Sequence, residues 1–207
     1  SQLNKPLDYL SILDYQKYWK ELPVKSQKRI ISRWDIPENS IDLEKDGFSI
    51  KGISFGKICL LIQPPRGYDL NSLKDIHSPD LPPTHNYLAQ YFWLQNKYKT
   101  NVICHIGKHG SLEWLPGKSV GLSKECFPQI ICPPLPIIYP FIVNDPGEAS
   151  QAKRRTHATI IDHLTPPLDR SGLYGYLGDL ENLIDEYYEA RLLNSKRIVL
   201  IEKSISE

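Results

Sequence analysis

Between Cys104 and Ser123 the chain places two histidines, one glutamate, two lysines and four glycines within twenty residues. An ordinary core segment does not have this composition. His105, His109 and Glu113 are spaced four apart, which on a helix would put them on one face. Gly107 and Gly110 lie between them and disfavour a regular helix. The stretch is therefore predicted to be a strand ending near His105, then a tight glycine-rich loop with a short helical turn around Glu113. Such a loop lets backbone N–H groups approach a ligand closely. His and Glu supply proton-transfer or metal-ligand chemistry. The competing reading is a plain turn whose histidines and glutamate are structural.

Two stock motifs are excluded. Gly117-Lys-Ser119 hints at a phosphate-binding loop, but that motif needs a glycine five positions before Gly117, where Leu112 stands. ATP is therefore not expected to bind this chain in that way. The zinc-protease motif needs His-Glu-x-x-His on an unbroken helix, and here the order is His-x-x-x-His-x-x-x-Glu through glycines.

The chain on either side alternates helix and strand signals. Leu3, Leu7, Leu10 and Leu13, with Trp19 and Leu22, space as one helical stripe that Pro23 ends. Ser26 is placed to cap a second helix carrying Ile30, Ile31 and Trp34. Residues 38–51 read as a polar connection with a short strand near Phe48–Ile50. Ile53–Gln63 reads as a strand buried on both faces. A Pro-, Asp- and Ser-rich loop follows over 64–83, carrying Arg66, His77 and Asp80. Thr84 caps a helix to about Tyr98, whose aromatic face is core or, alternatively, a wall for a flat macrocycle. Val102–Ile106 is the next strand, and it delivers the loop at its C-terminal end, where ligand sites fall in parallel α/β sheets. Residues 124–140 read as irregular and proline-rich. Phe141–Val143 is a strand, Pro146 starts a helix, Ala158–Ile161 is a strand, and a final helix spans about Gly172–Leu193. Leu173, Leu177, Leu180, Ile184 and Tyr187 form its buried stripe. The expected fold is α/β, a mainly parallel sheet flanked by helices. An N-terminal helical segment and linker (1–50) precedes an α/β domain (51–207).

Composition narrows the function classes. Lys plus Arg is 25 against 24 for Asp plus Glu, a net charge of +1, which argues against a dedicated nucleic-acid binder. No apolar run approaches the ~18 residues of a membrane-spanning helix. The four cysteines show no Cys-x-x-Cys spacing and read as reduced cytosolic thiols, so a cytoplasmic protein is expected. The N-terminus does not read as a signal peptide. The 207 residues contain no Met, which suggests a piece of a longer polypeptide.

Several long segments carry a family resemblance. His105-Ile-Gly-Lys-His-Gly-Ser-Leu-Glu-Trp-Leu-Pro-Gly-Lys118 and Ile138-Tyr-Pro-Phe-Ile-Val-Asn-Asp-Pro-Gly-Glu-Ala-Ser-Gln-Ala-Lys-Arg-Arg155 resemble the large subunits of the tetrapyrrole metal chelatases, the CobN and magnesium chelatase H family. Ser78-Pro-Asp-Leu-Pro-Pro-Thr-His-Asn-Tyr-Leu-Ala89, Ile160-Ile-Asp-His-Leu-Thr-Pro-Pro-Leu168, Gly172-Leu-Tyr-Gly175 and Asp185-Glu-Tyr-Tyr-Glu-Ala190 extend it. The Trp114-Leu115 and Asp145-Pro-Gly-Glu148 forms resemble the cobalt branch; the magnesium branch carries Phe-Met and Asn-Pro-Ser-Glu there.

The resemblance implies a tetrapyrrole-binding subunit of an ATP-dependent cobaltochelatase. Its substrates would be Co2+ and hydrogenobyrinic acid a,c-diamide, in cobalamin biosynthesis. It further implies AAA+ partner subunits that hydrolyse the ATP, the rest of the large subunit as a partner, and a lone fragment that does not turn over. The alternatives are Mg2+ insertion into protoporphyrin IX, a noncatalytic tetrapyrrole-binding scaffold, and an independent metal hydrolase, which two glycines within the ligand set disfavour.

Metal insertion replaces two pyrrole N–H protons with metal–nitrogen bonds. The site needs bases, weak metal ligands and cations for peripheral carboxylates. His105, His109 and Glu113 are assigned as catalytic residues and transient metal ligands, with His163 and His85 behind them. Lys118, Asn144, Glu148, Lys153, Arg154 and Arg155 are candidates for substrate binding, Arg by bidentate pairing. Three consecutive helical residues diverge by ~100° each, so 153–155 cannot all face one ligand.

Overall fold

The structure is a computed structural model that describes residues 5–67, 78–107, 110–132, 134–140, 146–162, 175–193 and 195–206. It divides into two units, Ser1–Leu164 and Thr165–Glu207. The boundary expected between residues 50 and 51 falls instead inside a strand, Gly47–Phe55.

Leu7 and Leu10 do not belong to a helix but to strand β1 (Pro6–Ser11). Ser11 then caps α1 (Ile12–Trp19), its hydroxyl accepting from the Asp14 N–H at 3.1 Å. Helical spacing of leucines lost to tertiary pairing here: β1 runs antiparallel to β3 (Gly47–Phe55) and buries Leu10 against it. Helix α2 (Val24–Trp34) starts after Pro23, so Ser26 sits within its first turn rather than at the cap.

The supposed polar connection contains β2 (Leu43–Glu44) and the first half of β3, whose residues 47–50 are all buried. Ile53–Gln63 is not one buried strand. The chain reverses at Gly56 (φ +60°) into β4 (Ile58–Leu61), which pairs antiparallel with β3. Phe55, Ile58, Leu60 and Ile62 are exposed on this hairpin. Strands β1–β4 make a four-stranded antiparallel sheet.

Thr84 caps α3 (His85–Phe92) by accepting from the Tyr87 N–H at 3.2 Å, and a π-helical turn continues over Trp93–Lys97. The aromatic face of α3 is core: Tyr87, Leu88, Tyr91 and Phe92 pack with Tyr15, Phe48, Leu112 and Leu115 in one buried cluster.

The fold class is α/β, and the expected parallel sheet is present as β5 (Ile103–Cys104), β6 (Ile137–Pro140) and β7 (Thr159–Ile161), in that order. Helix α4 (Phe127–Ile131) and β6 lie in the stretch read as irregular. Helix α5 (Pro146–Arg155) begins at Pro146 as expected, and it packs Ala152 against Ile137, Tyr139 and Ala158. The strand expected at Phe141–Val143 lies outside the described residues.

The second unit holds α6 (Tyr176–Leu193) and α7 (Ser195–Ser206), which pack on each other; Ala190 and Ile201 are buried, and Arg197 pairs with Glu186. Of the stripe expected to be buried on α6, Leu177 and Ile184 are exposed, since two helices alone cover only part of each other's surface. Among the described residues no helix is long and apolar enough to cross a membrane.

Candidate active site

The parallel sheet decides where the glycine-rich stretch begins. Strand β5 ends at Cys104, and the His105 N–H donates to the Ile138 carbonyl of β6 at 2.9 Å. His105 and Tyr139 are thereby delivered side by side at the C-terminal ends of parallel strands. Their rings meet edge to face at 5.5 Å. The chain then turns back, and Leu112–Trp114 forms the predicted short helical turn, a single 3-10 turn. That turn carries Glu113 inward, leaving it 0% exposed.

The two carboxylate oxygens of Glu113 differ. Oε1 accepts from the Gly110 N–H at 3.0 Å and from the Tyr139 hydroxyl at 3.2 Å. Oε2 is buried and has no hydrogen-bond partner among the described residues. A buried acceptor left without a donor costs about 1–3 kcal/mol. Burial pushes the His105 imidazole below its ordinary pKa while the Glu113 charge pulls it up, and the net shift is downward. His105 is thus a neutral base near pH 7. Burial also raises Tyr87 and Tyr91, with Glu113 adding to the shift, so both hydroxyls stay protonated donors.

The backbone of the turn is held from outside. Arg155, at the C-terminal end of α5, is buried and donates to the carbonyls of Glu113 (Nη1, 2.6 Å), Leu115 (Nη2, 2.8 Å) and Lys118 (Nε, 3.2 Å). This corrects its sequence-based role, because its guanidinium is occupied by the protein's own carbonyls rather than open to a substrate carboxylate. Lys153 and Arg154 on the same helix are exposed, as the ~100° divergence requires. Lys118 is exposed and lines a cavity of about 300 Å3 with Lys25, Arg29, Glu125 and Cys126.

His85 is also corrected. It is fully buried, with Nε2 2.9 Å from the Asp35 carbonyl and Nδ1 2.7 Å from the Tyr15 hydroxyl. A carbonyl only accepts, so Nε2 carries the proton and Nδ1 accepts from Tyr15. Both ring nitrogens are thus used in the core. His109, Asn144, His163 and the side chain of Glu148 lie outside the described residues. Among the described residues no group of three His, Cys, Asp or Glu side chains is arranged to hold a metal ion.

Sequence reasoning missed Gln63, Tyr87, Ser111 and Tyr139 as parts of this site. Ser111 lay within the glycine-rich stretch and Tyr139 within a resembling segment. Nothing local marked Gln63.

The chain is similar to known proteins along its whole length. The family described as CobN/Magnesium Chelatase matches residues 1–207. The aerobic cobaltochelatase subunit CobN of Pseudomonas aeruginosa is 50% identical over 188 residues, 91% of this chain and 15% of that protein. The H-type subunit of magnesium chelatase from Cereibacter sphaeroides is 37% identical over 154 residues, 74% of this chain and 13% of that protein. The solved catalytic subunit of cobaltochelatase from Mycobacterium tuberculosis superposes with a TM-score of 0.72 at 40% identity, over 96% of this chain and 18% of that one. The chain therefore spans about 15% of the length of the curated relatives it matches.

Proposed function

The chain belongs to the CobN/magnesium chelatase family, and from that premise we propose that it forms part of the tetrapyrrole-binding subunit of an ATP-dependent cobaltochelatase. The reaction is insertion of Co2+ into hydrogenobyrinic acid a,c-diamide. AAA+ partner subunits hydrolyse the ATP. The 50% identity to a CobN protein against 37% to an H-type magnesium-chelatase protein supports the cobalt branch, as do Trp114-Leu115 and Asp145-Pro-Gly-Glu148.

One observation carries the site assignment: the buried Glu113 oxygen Oε2 has no protein donor among the described residues. A glutamate kept only for structure gains nothing from that oxygen, whereas a base or weak metal ligand requires a free lone pair. In this reading Glu113 and the neutral His105 accept inner N–H protons that the metal displaces from the macrocycle as the metal–nitrogen bonds form, with His109 beside them in sequence. Co2+ is a substrate here and is passed on, which suits few and weak ligands. Lys153 and Arg154, exposed on α5, are available to peripheral carboxylates.

The test uses the full-length protein with its ATPase partners. Glu113→Gln keeps the acceptor for Gly110 and Tyr139 while removing the base. Insertion is expected to be abolished, with binding of hydrogenobyrinic acid a,c-diamide, read by fluorescence quenching, retained. Undiminished turnover would overturn the assignment of Glu113. A parallel titration with protoporphyrin IX decides the branch, since preference for the porphyrin would move the chain to the magnesium side.

A further inference from the structure

We propose that Gln63 is the positioning residue of the Gly110–Glu113 turn, coupling it through one amide to the buried tyrosines of α3. The inference rests on the reading of Glu113 as a reacting group.

Gln63 lies just beyond β4, 48 residues before Ser111. Its Oε1 accepts twice from Ser111, from the backbone N–H at 2.8 Å and from the hydroxyl at 3.0 Å. A backbone N–H can only donate, so the oxygen must face Ser111 and Nε2 must face away. There Nε2 donates to the Tyr91 hydroxyl at 2.8 Å. The Ser111 hydroxyl proton is spent on Gln63, so its oxygen accepts from the Tyr87 hydroxyl at 3.0 Å. Tyr87 and Tyr91 stack at 5.3 Å. The hydrogen bonds thus run in one chain, Tyr91–Gln63–Ser111–Tyr87, whose two ends are stacked rings. Burial holds both phenols protonated, so the chain keeps its donors across the working pH range.

This chain of hydrogen bonds bears directly on Glu113. Two consecutive backbone N–H groups are clamped by two different side chains, Gly110 by Glu113 Oε1 and Ser111 by Gln63 Oε1. Gly110 sits between them: a Cβ there would stand 3.2 Å from Gln63 Oε1 and 3.5 Å from Glu113 Oε2. Without Gln63, the Ser111 N–H loses its acceptor and the turn keeps only the Ser111–Tyr87 hydroxyl contact to α3. Glu113 then rests on the Gly110 N–H, Tyr139 and the Arg155 contacts to backbone. The turn orients Oε2, and Gln63 orients the turn.

The experiment is steady-state metal insertion by the full-length protein with its ATPase partners, with kcat expressed per site that binds hydrogenobyrinic acid a,c-diamide, so that loss of folded protein does not count. Gln63→Met preserves volume and removes all three hydrogen bonds. It is expected to lower kcat by roughly 10- to 100-fold, the scale of a small misplacement of a reacting group, with the tetrapyrrole KM changed less than about twofold. Ser111→Ala in the Gln63→Met background should cost no further kcat, because the two residues act through one connection. Should Gln63→Met fail to fold, Gln63→Leu and the Ser111→Ala single variant carry the same kcat-against-KM comparison. Wild-type kcat per binding site in Gln63→Met, or a loss that appears only in KM, overturns the inference while Glu113→Gln remains inactive. An active Glu113→Gln enzyme overturns the reading beneath it as well.

Discussion

Arg155 Nη1 lies 2.6 Å from the carbonyl oxygen of Glu113, and its guanidinium also reaches the carbonyls of Leu115 and Lys118. One cation at the end of α5 thus gathers the backbone on both sides of the 3-10 turn. The side chain that sequence pattern offers as a substrate-binding cation is instead the peg on which the site's backbone hangs.

Arg155→Ala should therefore destabilise the fold by about 2–4 kcal/mol, since it leaves buried carbonyls without donors. Arg155→Lys should recover only part of this, because an ammonium does not reproduce the planar fork. Exposed Arg154→Ala and Lys153→Ala should stay within about 0.5 kcal/mol of wild type. Denaturant midpoints of the four variants check this, and equal effects at 154 and 155 would contradict the geometry.

Gly117 approaches Cys126 too closely for a side chain. A Cβ there would stand 2.7 Å from Cys126 Cβ and 3.1 Å from its Cα, at φ +155°. Gly117→Ala is expected to cost about 1–3 kcal/mol, as overpacking does. At Gly121 (φ +60°) a Cβ meets nothing within 4 Å. Gly121→Ala should thus show only the left-handed backbone penalty, about 1 kcal/mol. Chemical denaturation that ranks Gly121→Ala as the worse variant would be the opposite result.

Stability should fall in mild acid. Burial pushes the His85 imidazole below its ordinary value, against the Asp35 carbonyl and the nearby Asp42, Glu38 and Asp35 carboxylates, which pull it up. The folded state thus binds this proton less readily than the unfolded chain. Its contribution is complete above the unfolded pKa of about 6.5 and is lost as pH falls from there through the folded value. His105 is shifted the same way by burial, opposed by Glu113. Each contributes at most about 1.4 kcal/mol per pH unit. His85→Leu should lower stability throughout, by removing the imidazole that bonds the Tyr15 hydroxyl and the Asp35 carbonyl, yet flatten the slope below pH 6.5. Urea titrations at several pH values read this out, and an unchanged slope would remove His85 as its source.

The thiols should separate by reactivity. Burial, with Glu113 adding to it, pushes Cys132 up to about 12. Its S–H lies 3.5 Å from the Thr156 carbonyl. Cys104 is exposed. Iodoacetamide at pH 8, mapped by mass spectrometry, should label Cys104 first and leave Cys132 untouched until the protein unfolds. Comparable labelling of both in the native protein would show that Cys132 is not held in this environment.

What the sequence determined by itself is local chemistry and kinship. Thr84 ahead of an aromatic helix, Pro146 at a helix start and glycines breaking the His105–Glu113 register each act within one turn of chain, so their consequences are legible in place. The quoted segments carried the family, and the alternation of elements carried the α/β class with its parallel sheet. Tertiary structure decided whatever depends on partners far along the chain. Leu7 and Leu10 have helical spacing but form a strand, because β3 offers a pairing edge about 40 residues later. Ile53–Gln63 is apolar enough for a buried strand, yet Gly56 turns it into a hairpin. The site follows the same rule. Gln63 meets Ser111 across 48 residues, Arg155 meets the Glu113 carbonyl across 42, and Tyr139 meets the Glu113 carboxylate across 26. A hydrogen bond needs about 3 Å and an aligned donor, and spacing along a chain does not encode that once the chain has folded back on itself.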